Sequence, residues 1–112
     1  GSEMCIRDRL ETEHTLAFHD IAPKAPVHVL VIPKGAYVSY DDFAANAPDA
    51  EIVDFHRAVA RLVRDLGCDL DAGQGYRAIT NAGPHGLQEV PHFHLHILAG
   101  RPIGPMVVPG LA

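Results

Sequence analysis

Three of the chain's eight histidines, His92, His94 and His96, fall within five residues and alternate with Phe93, Leu95 and Ile97. Imidazole can act as a nucleophile or a proton carrier near neutral pH, and it can ligate a metal. In a β-strand, alternate side chains share a face. The spacing therefore predicts a row of three imidazoles spanning about 13 Å at roughly 3.3 Å per residue, with the apolar set turned to a core. One exposed histidine would be an ordinary solvated residue, but three at period two call for a use. Zinc would suit the row, yet neither a cysteine nor a carboxylate on the same strand completes a tetrahedral set.

The rest of the chain has to hold this row. Its 112 residues suffice for one modest core. With 47% hydrophobic and 21% charged residues, it reads as a globular domain. No apolar run approaches the ~20 residues of a membrane span. A formal net charge of −5 argues against a large nucleic-acid surface but leaves room for a nucleotide. Cys5 and Cys68 lie far apart and suggest neither a disulfide framework nor a zinc knuckle, so a cytoplasmic setting is expected. Gly1-Ser2 reads as a tag scar and residues 1–9 as a non-native lead, leaving 10–112 as a single domain.

Thr15–His19 has the pattern of a short strand, with Leu16 and Phe18 on one face. Pro23 and Pro26 interrupt regular structure. Val27–Ile32 is the clearest buried strand, and it places His28 on the face of Leu30 and Ile32. Taken alone, His28 reads as a core histidine with a satisfied hydrogen bond. Residues 37–46 form a connection of undefined shape. Pro48 opens a helix in which Ile52, Phe55, Val59, Leu62 and Leu66 make an apolar stripe, closed by Gly67. Tyr76–Thr80 is a further strand, Ala82–Gly86 a turn-rich loop, and the tail is rich in proline. The pattern predicts an α+β domain: an antiparallel sheet of about five strands with one main helix.

The run His92-Phe93-His94-Leu95-His96-Ile97-Leu98 resembles the His-φ-His-φ-His-φ-φ signature of the histidine triad (HIT) family of nucleotide hydrolases and transferases. The flanks at 16–21, 25–34 and 88–90 are similar to the Hint branch, the purine nucleoside phosphoramidases, and the likeness runs from Leu10 to Met106. The resemblance implies the HIT-like fold and a nucleophile at His94 that forms a nucleotidyl-histidine. His92 and His96 would contact the phosphate and move protons, and His28 would be the family's fourth histidine. Asp20 would hold the ribose, and Phe18, Ile21 and Leu30 would wall the purine. Asn81 would make a polar contact, and Leu87, Gln88 and Glu89 would supply the phosphate-side segment. It further implies a purine nucleotide substrate and a homodimer formed through the main helix and the Tyr76–Thr80 strand. No cofactor, resident metal, nucleic acid or membrane is implied.

Some positions depart from the family's pattern. Leu87 replaces a usual glycine, Glu89 a serine of some members, and Pro105-Met106 a tryptophan of some tails. The family's preceding helix, which helps wall the base, has no counterpart in residues 1–9, so an open pocket is expected. The alternatives are dinucleoside polyphosphate hydrolysis or nucleotidyl transfer by the same machinery, or a non-catalytic nucleotide- or zinc-binding module.

Overall fold

The computed structural model describes residues 9–71 and 73–110. Its elements are β1 (Arg9–Glu11), β2 (Thr15–His19), β3 (Val27–Pro33), α1 (Tyr40–Asn46), α2 (Asp49–Asp65), β4 (Arg77–Ile79) and β5 (Leu95–Ala99). The strands make one antiparallel sheet in the order β1-β2-β3-β5-β4. The expected five-stranded α+β architecture is therefore present, with two helices rather than one. Among the described residues, no helix is long and apolar enough to cross a membrane.

Period-two alternation divides the sheet into two faces. Ala17, Val29, Val31 and Ile97 are buried in one core with Phe55, Leu62 and Val63 of α2. The opposite face carries Leu16, Phe18, Leu30 and Ile32, all half-buried. Register aligns Phe18 with Leu30 and Leu30 with His96, so an apolar pair on β2 and β3 leads across the sheet to an imidazole on β5. Helix α2 ends as its sequence predicts. Gly67 takes φ +72°, the Gly67 N–H reaches Arg64 O at 3.0 Å, and the Cys68 N–H reaches Val63 O at 3.0 Å.

Two elements went unread in the sequence. Strand β1 is only three residues long and is defined by its pairing with β2. It begins at Arg9, inside the segment read as a non-native lead; residues 1–8 of that segment lie outside the described residues. Helix α1 replaces the undefined connection. Its signal was Ser39, whose Oγ accepts the Asp42 N–H at 3.3 Å, with Asp41 and Asp42 complementing the first turn.

Asp54 ties α2 to the β1–β2 turn. Its Oδ2 accepts the Thr12 hydroxyl at 2.6 Å, the Thr15 hydroxyl at 2.7 Å and the His14 N–H at 3.1 Å. Burial alone would raise this carboxyl, but the three hydrogen bonds outweigh it and hold the group below the usual carboxylate range. The unfolded chain then binds the proton more readily than the folded one. The stabilisation is complete above the ordinary carboxylate pKa and is lost as pH falls through the lower folded value. Asp54→Ala is expected to cost about 2 kcal/mol in urea denaturation at pH 7. The loss should shrink in acid, and a pH-independent difference would refute this role.

Candidate active site

The histidine row is not one strand. β5 begins at Leu95, so only His96 lies within it, while His92 and His94 precede it. Pro91 supplies no N–H, and the neighbouring groups bond elsewhere. The Phe93 N–H reaches Tyr37 O at 2.7 Å, and the Thr80 hydroxyl donates to His94 O at 2.9 Å. The expected alternation of faces still holds. Phe93 is 1% exposed and packs with Phe43 of α1 and Phe55 of α2, each at a ring separation of 5.2 Å. His92, His94 and His96 stay half-buried. A single apolar ring thus anchors the segment between His92 and His94.

Hydrogen-bond partners assign the tautomers. His94 Nδ1 lies 2.8 Å from His92 O, and a carbonyl only accepts, so Nδ1 carries the proton. Neutral His94 then keeps its lone pair on Nε2. His92 Nε2 donates to Pro33 O at 3.1 Å, so this ring is braced against the end of β3. That nitrogen of His92 is thus committed to the main chain.

His28 is 4% exposed, and its Nδ1 accepts the Lys24 N–H at 3.0 Å. Its proton therefore sits on Nε2, which donates to His96 Nδ1 at 2.9 Å. By the same bookkeeping, neutral His96 presents an Nε2–H. Burial is the main cause that lowers the pKa of both rings. For His28 the Asp20 carboxylate partly opposes it, and for His96 the neighbours His94 and His28 reinforce it. The His94 and His96 rings meet edge to face at 5.0 Å. An imidazole with its Nε2 lone pair uncommitted and a hydrogen-bonded imidazole pair therefore stand side by side.

A cavity of about 310 Å3 opens beside them, lined by Phe18, Leu30, Ile32, Val90, His92 and His94. Its walls are largely apolar, as an aromatic base requires. Phe18 and Leu30 were expected here; Ile32 and Val90 were not singled out, although Ile32 shares the face of Leu30 in the strand pattern. A larger cavity of about 810 Å3 lies between Leu66–Cys68, Gly73–Arg77 and Gly100–Ile103. It touches none of the histidines, whereas the smaller cavity is lined by two of them.

Other expected residues are placed differently. Asp20 lies at the site, with Oδ2 3.6 Å from His28 Nε2 and Oδ1 accepting the Ala22 N–H at 2.7 Å. Asp20, His28 and His96 offer ligand atoms within 4.8 Å of one another, so a carboxylate off the strand supplies what the strand lacked for a metal. The 2.9 Å spacing of the two imidazole nitrogens is that of a hydrogen bond, which a shared cation would have to break. Ile21 stands fully exposed outside the cavity lining. Asn81 is half-buried at the end of β4 and also lies outside that lining. Glu89 is exposed. The Leu87 and Gln88 N–H groups are used within their own loop, on Pro84 O and Gly83 O at 3.1 Å each.

Leu87 holds φ +58°, the left-handed region, with its side chain 80% exposed. A Cβ there costs roughly 1 kcal/mol, and little burial offsets it. Leu87→Gly is expected to raise stability by about 0.5 kcal/mol, the relief of strain being partly cancelled by glycine's larger unfolded-state entropy. A lowered melting temperature would show that the leucine side chain has a packing role.

A family model described as the HIT domain matches residues 9–103. A 13.2 kDa HIT-like protein of Azospirillum brasilense, named as uncharacterised, is 56% identical over 108 residues, covering 96% of this chain and 86% of its own. The purine nucleoside phosphoramidase of Escherichia coli is 39% identical over 106 residues, covering 95% of this chain and 82% of its own. Among solved structures, a histidine triad protein from Clostridium difficile is similar with a TM-score of 0.74 at 36% identity, covering 89% of this chain and 84% of that one. A HIT family hydrolase from Clostridium thermocellum reaches 0.73 at 39% identity, with 88% and 83% covered.

Proposed function

The chain belongs to the HIT family, and from that premise we propose that it hydrolyses the P–N bond of purine nucleoside phosphoramidates, releasing the nucleoside monophosphate. The observation that carries this reading is the paired arrangement at the cavity mouth. His94 keeps Nε2 free because Nδ1 is held by His92 O, and the His28–His96 pair lies against it. The named activity of the E. coli relative supports the substrate class.

In the first step, the His94 Nε2 lone pair attacks the α-phosphorus. An Nε2–P bond forms and the P–N bond breaks, its electron pair leaving with the amine. The amine takes a proton delivered from the His28–His96 pair at His96 Nε2. Burial disfavours an extra proton on that pair, and a phosphate anion bound beside it would oppose that effect. In the second step, water attacks the nucleotidyl-histidine, the pair takes back a proton, and the electrons return to His94 Nε2. Splitting one displacement into two lowers each barrier. Phe18, Leu30 and Ile32 would hold the base, and Asp20 would turn its carboxylate to the ribose hydroxyls. We place the working unit as a cytoplasmic homodimer. β4 pairs with β5 alone within the described residues, which leaves an edge for a second copy.

The test is a comparison of kcat/KM for an adenosine phosphoramidate and a dinucleoside polyphosphate. A clear preference for the P–N substrate is expected; the reverse order would move the chain to the polyphosphate hydrolases.

A further inference from the structure

Residues 88–94 carry the nucleophile toward β5 without themselves lying in a strand. Three of their anchors come from one short stretch, the end of β3 and the connection to α1. Pro33 O takes the His92 ring at 3.1 Å, Tyr37 O the Phe93 N–H at 2.7 Å, and Val38 O the Gln88 carboxamide at 2.6 Å. Gln88 Nε2 also donates to Val90 O at 3.1 Å, and its Oε1 accepts the Gly83 N–H at 3.0 Å. The amide has one workable orientation, because two of its partners only accept and the third only donates. Val90 O in turn accepts the His92 N–H at 2.8 Å, and His92 O holds the His94 Nδ1 proton. The Gln88 amide therefore joins three segments: the glycine-containing loop, the β3–α1 connection and the lead-in to the nucleophile.

We propose that Gln88 is a positioning residue whose carboxamide staples the phosphate-side loop to the β3–α1 connection and thereby sets where His94 Nε2 meets phosphorus. Its amide is used up on main-chain groups, so its effect on catalysis runs through the lead-in and not through the nucleotide. The inference rests on the phosphoramidase reading above for its kinetic consequences, but not for its structural one. Removing the staple frees the loop at Gly83 and the lead-in at Val90 together. A displacement of about 1 Å at a reacting group can cost a hundredfold in rate.

Two variants test it in the full chain. Gln88→Met keeps the length and removes every hydrogen bond of the amide. Gln88→Glu keeps an acceptor for Gly83 but, when ionised, cannot donate to Val38 or Val90. Each is assayed for kcat and KM, for AMP affinity by calorimetry, and for the His94 Nδ1 proton by NMR. Both should lower kcat about tenfold or more while AMP affinity stays within about threefold. The His94 Nδ1 proton, sharp in the wild type, should broaden or vanish. Unchanged kcat per folded molecule with only a lower melting temperature would overturn the proposal. So would a loss confined to KM and AMP affinity, which would make Gln88 a nucleotide contact. If the wild type releases no AMP from a phosphoramidate, the function reading falls. The staple is then decided by NMR alone: an unaltered His94 signal in both variants overturns it, and a broadened one supports it.

Discussion

Replacing His94 with alanine is expected to lower kcat/KM for an adenosine phosphoramidate by a factor of about a thousand or more, with the fold intact. The size follows from the division of labour. His94 presents the free imidazole nitrogen at the cavity, because its other nitrogen is held by His92 O. His92 Nε2 is committed to Pro33 O, and His96 Nδ1 to His28. His96 would have to give up its His28 partner to substitute as the nucleophile, and His92 has its Nε2 braced on the main chain. The ring of His94 is half-buried at the edge of a cavity, whereas the core contact in this stretch is made by Phe93. Truncation should therefore leave an unchanged circular dichroism spectrum and a cooperative melt. Undiminished turnover by a folded His94→Ala protein would remove the nucleophile assignment.

The second large effect is expected at His96, and it should depend on the leaving group. With an alkylamine leaving group, the departing nitrogen needs a proton, and His96→Ala should lose about 100- to 10,000-fold, the range of general acid catalysis. With a nucleotide ester of p-nitrophenol, the leaving oxygen departs as a stable anion, and the loss in the first step should be much smaller. Because His28 Nε2 holds His96 Nδ1 at 2.9 Å, His28→Ala should show the same dependence in weaker form. Equal losses of His96→Ala on both substrates would mean that this ring binds phosphate and does not deliver a proton.

Much of this site can be read in the chain because alternation survives irregular backbone. The Phe93, Leu95 and Ile97 set and the three-histidine set face opposite ways even though the strand starts only at Leu95. His28 falls on the correct face for the same reason, sharing it with Leu30 and Ile32. What alternation cannot reveal is which nitrogen of each ring carries the proton. That depends on main-chain groups distant in sequence, such as Pro33 O, or on the local turn that brings the Lys24 N–H back to His28. The partners of the Gln88 side chain are hidden for the same reason. Its amide is bound to Gly83, Val38 and Val90, and one of these lies 50 residues away. Helix α1 was missed because only Phe43 is buried along its seven residues, too little for a periodic stripe, although the Ser39 cap was legible. Ile21, which the resemblance put at the purine wall, stands in solvent and outside the cavity lining of this chain.

The most direct test of the central claim is mass spectrometry of the protein quenched during turnover of an adenosine phosphoramidate, followed by peptide mapping. The nucleotidyl adduct is expected on the peptide containing His94, assigned to that residue by fragmentation and absent from His94→Ala. An adduct on another residue, or full turnover with no adduct under acid-free quenching, would contradict covalent catalysis at His94.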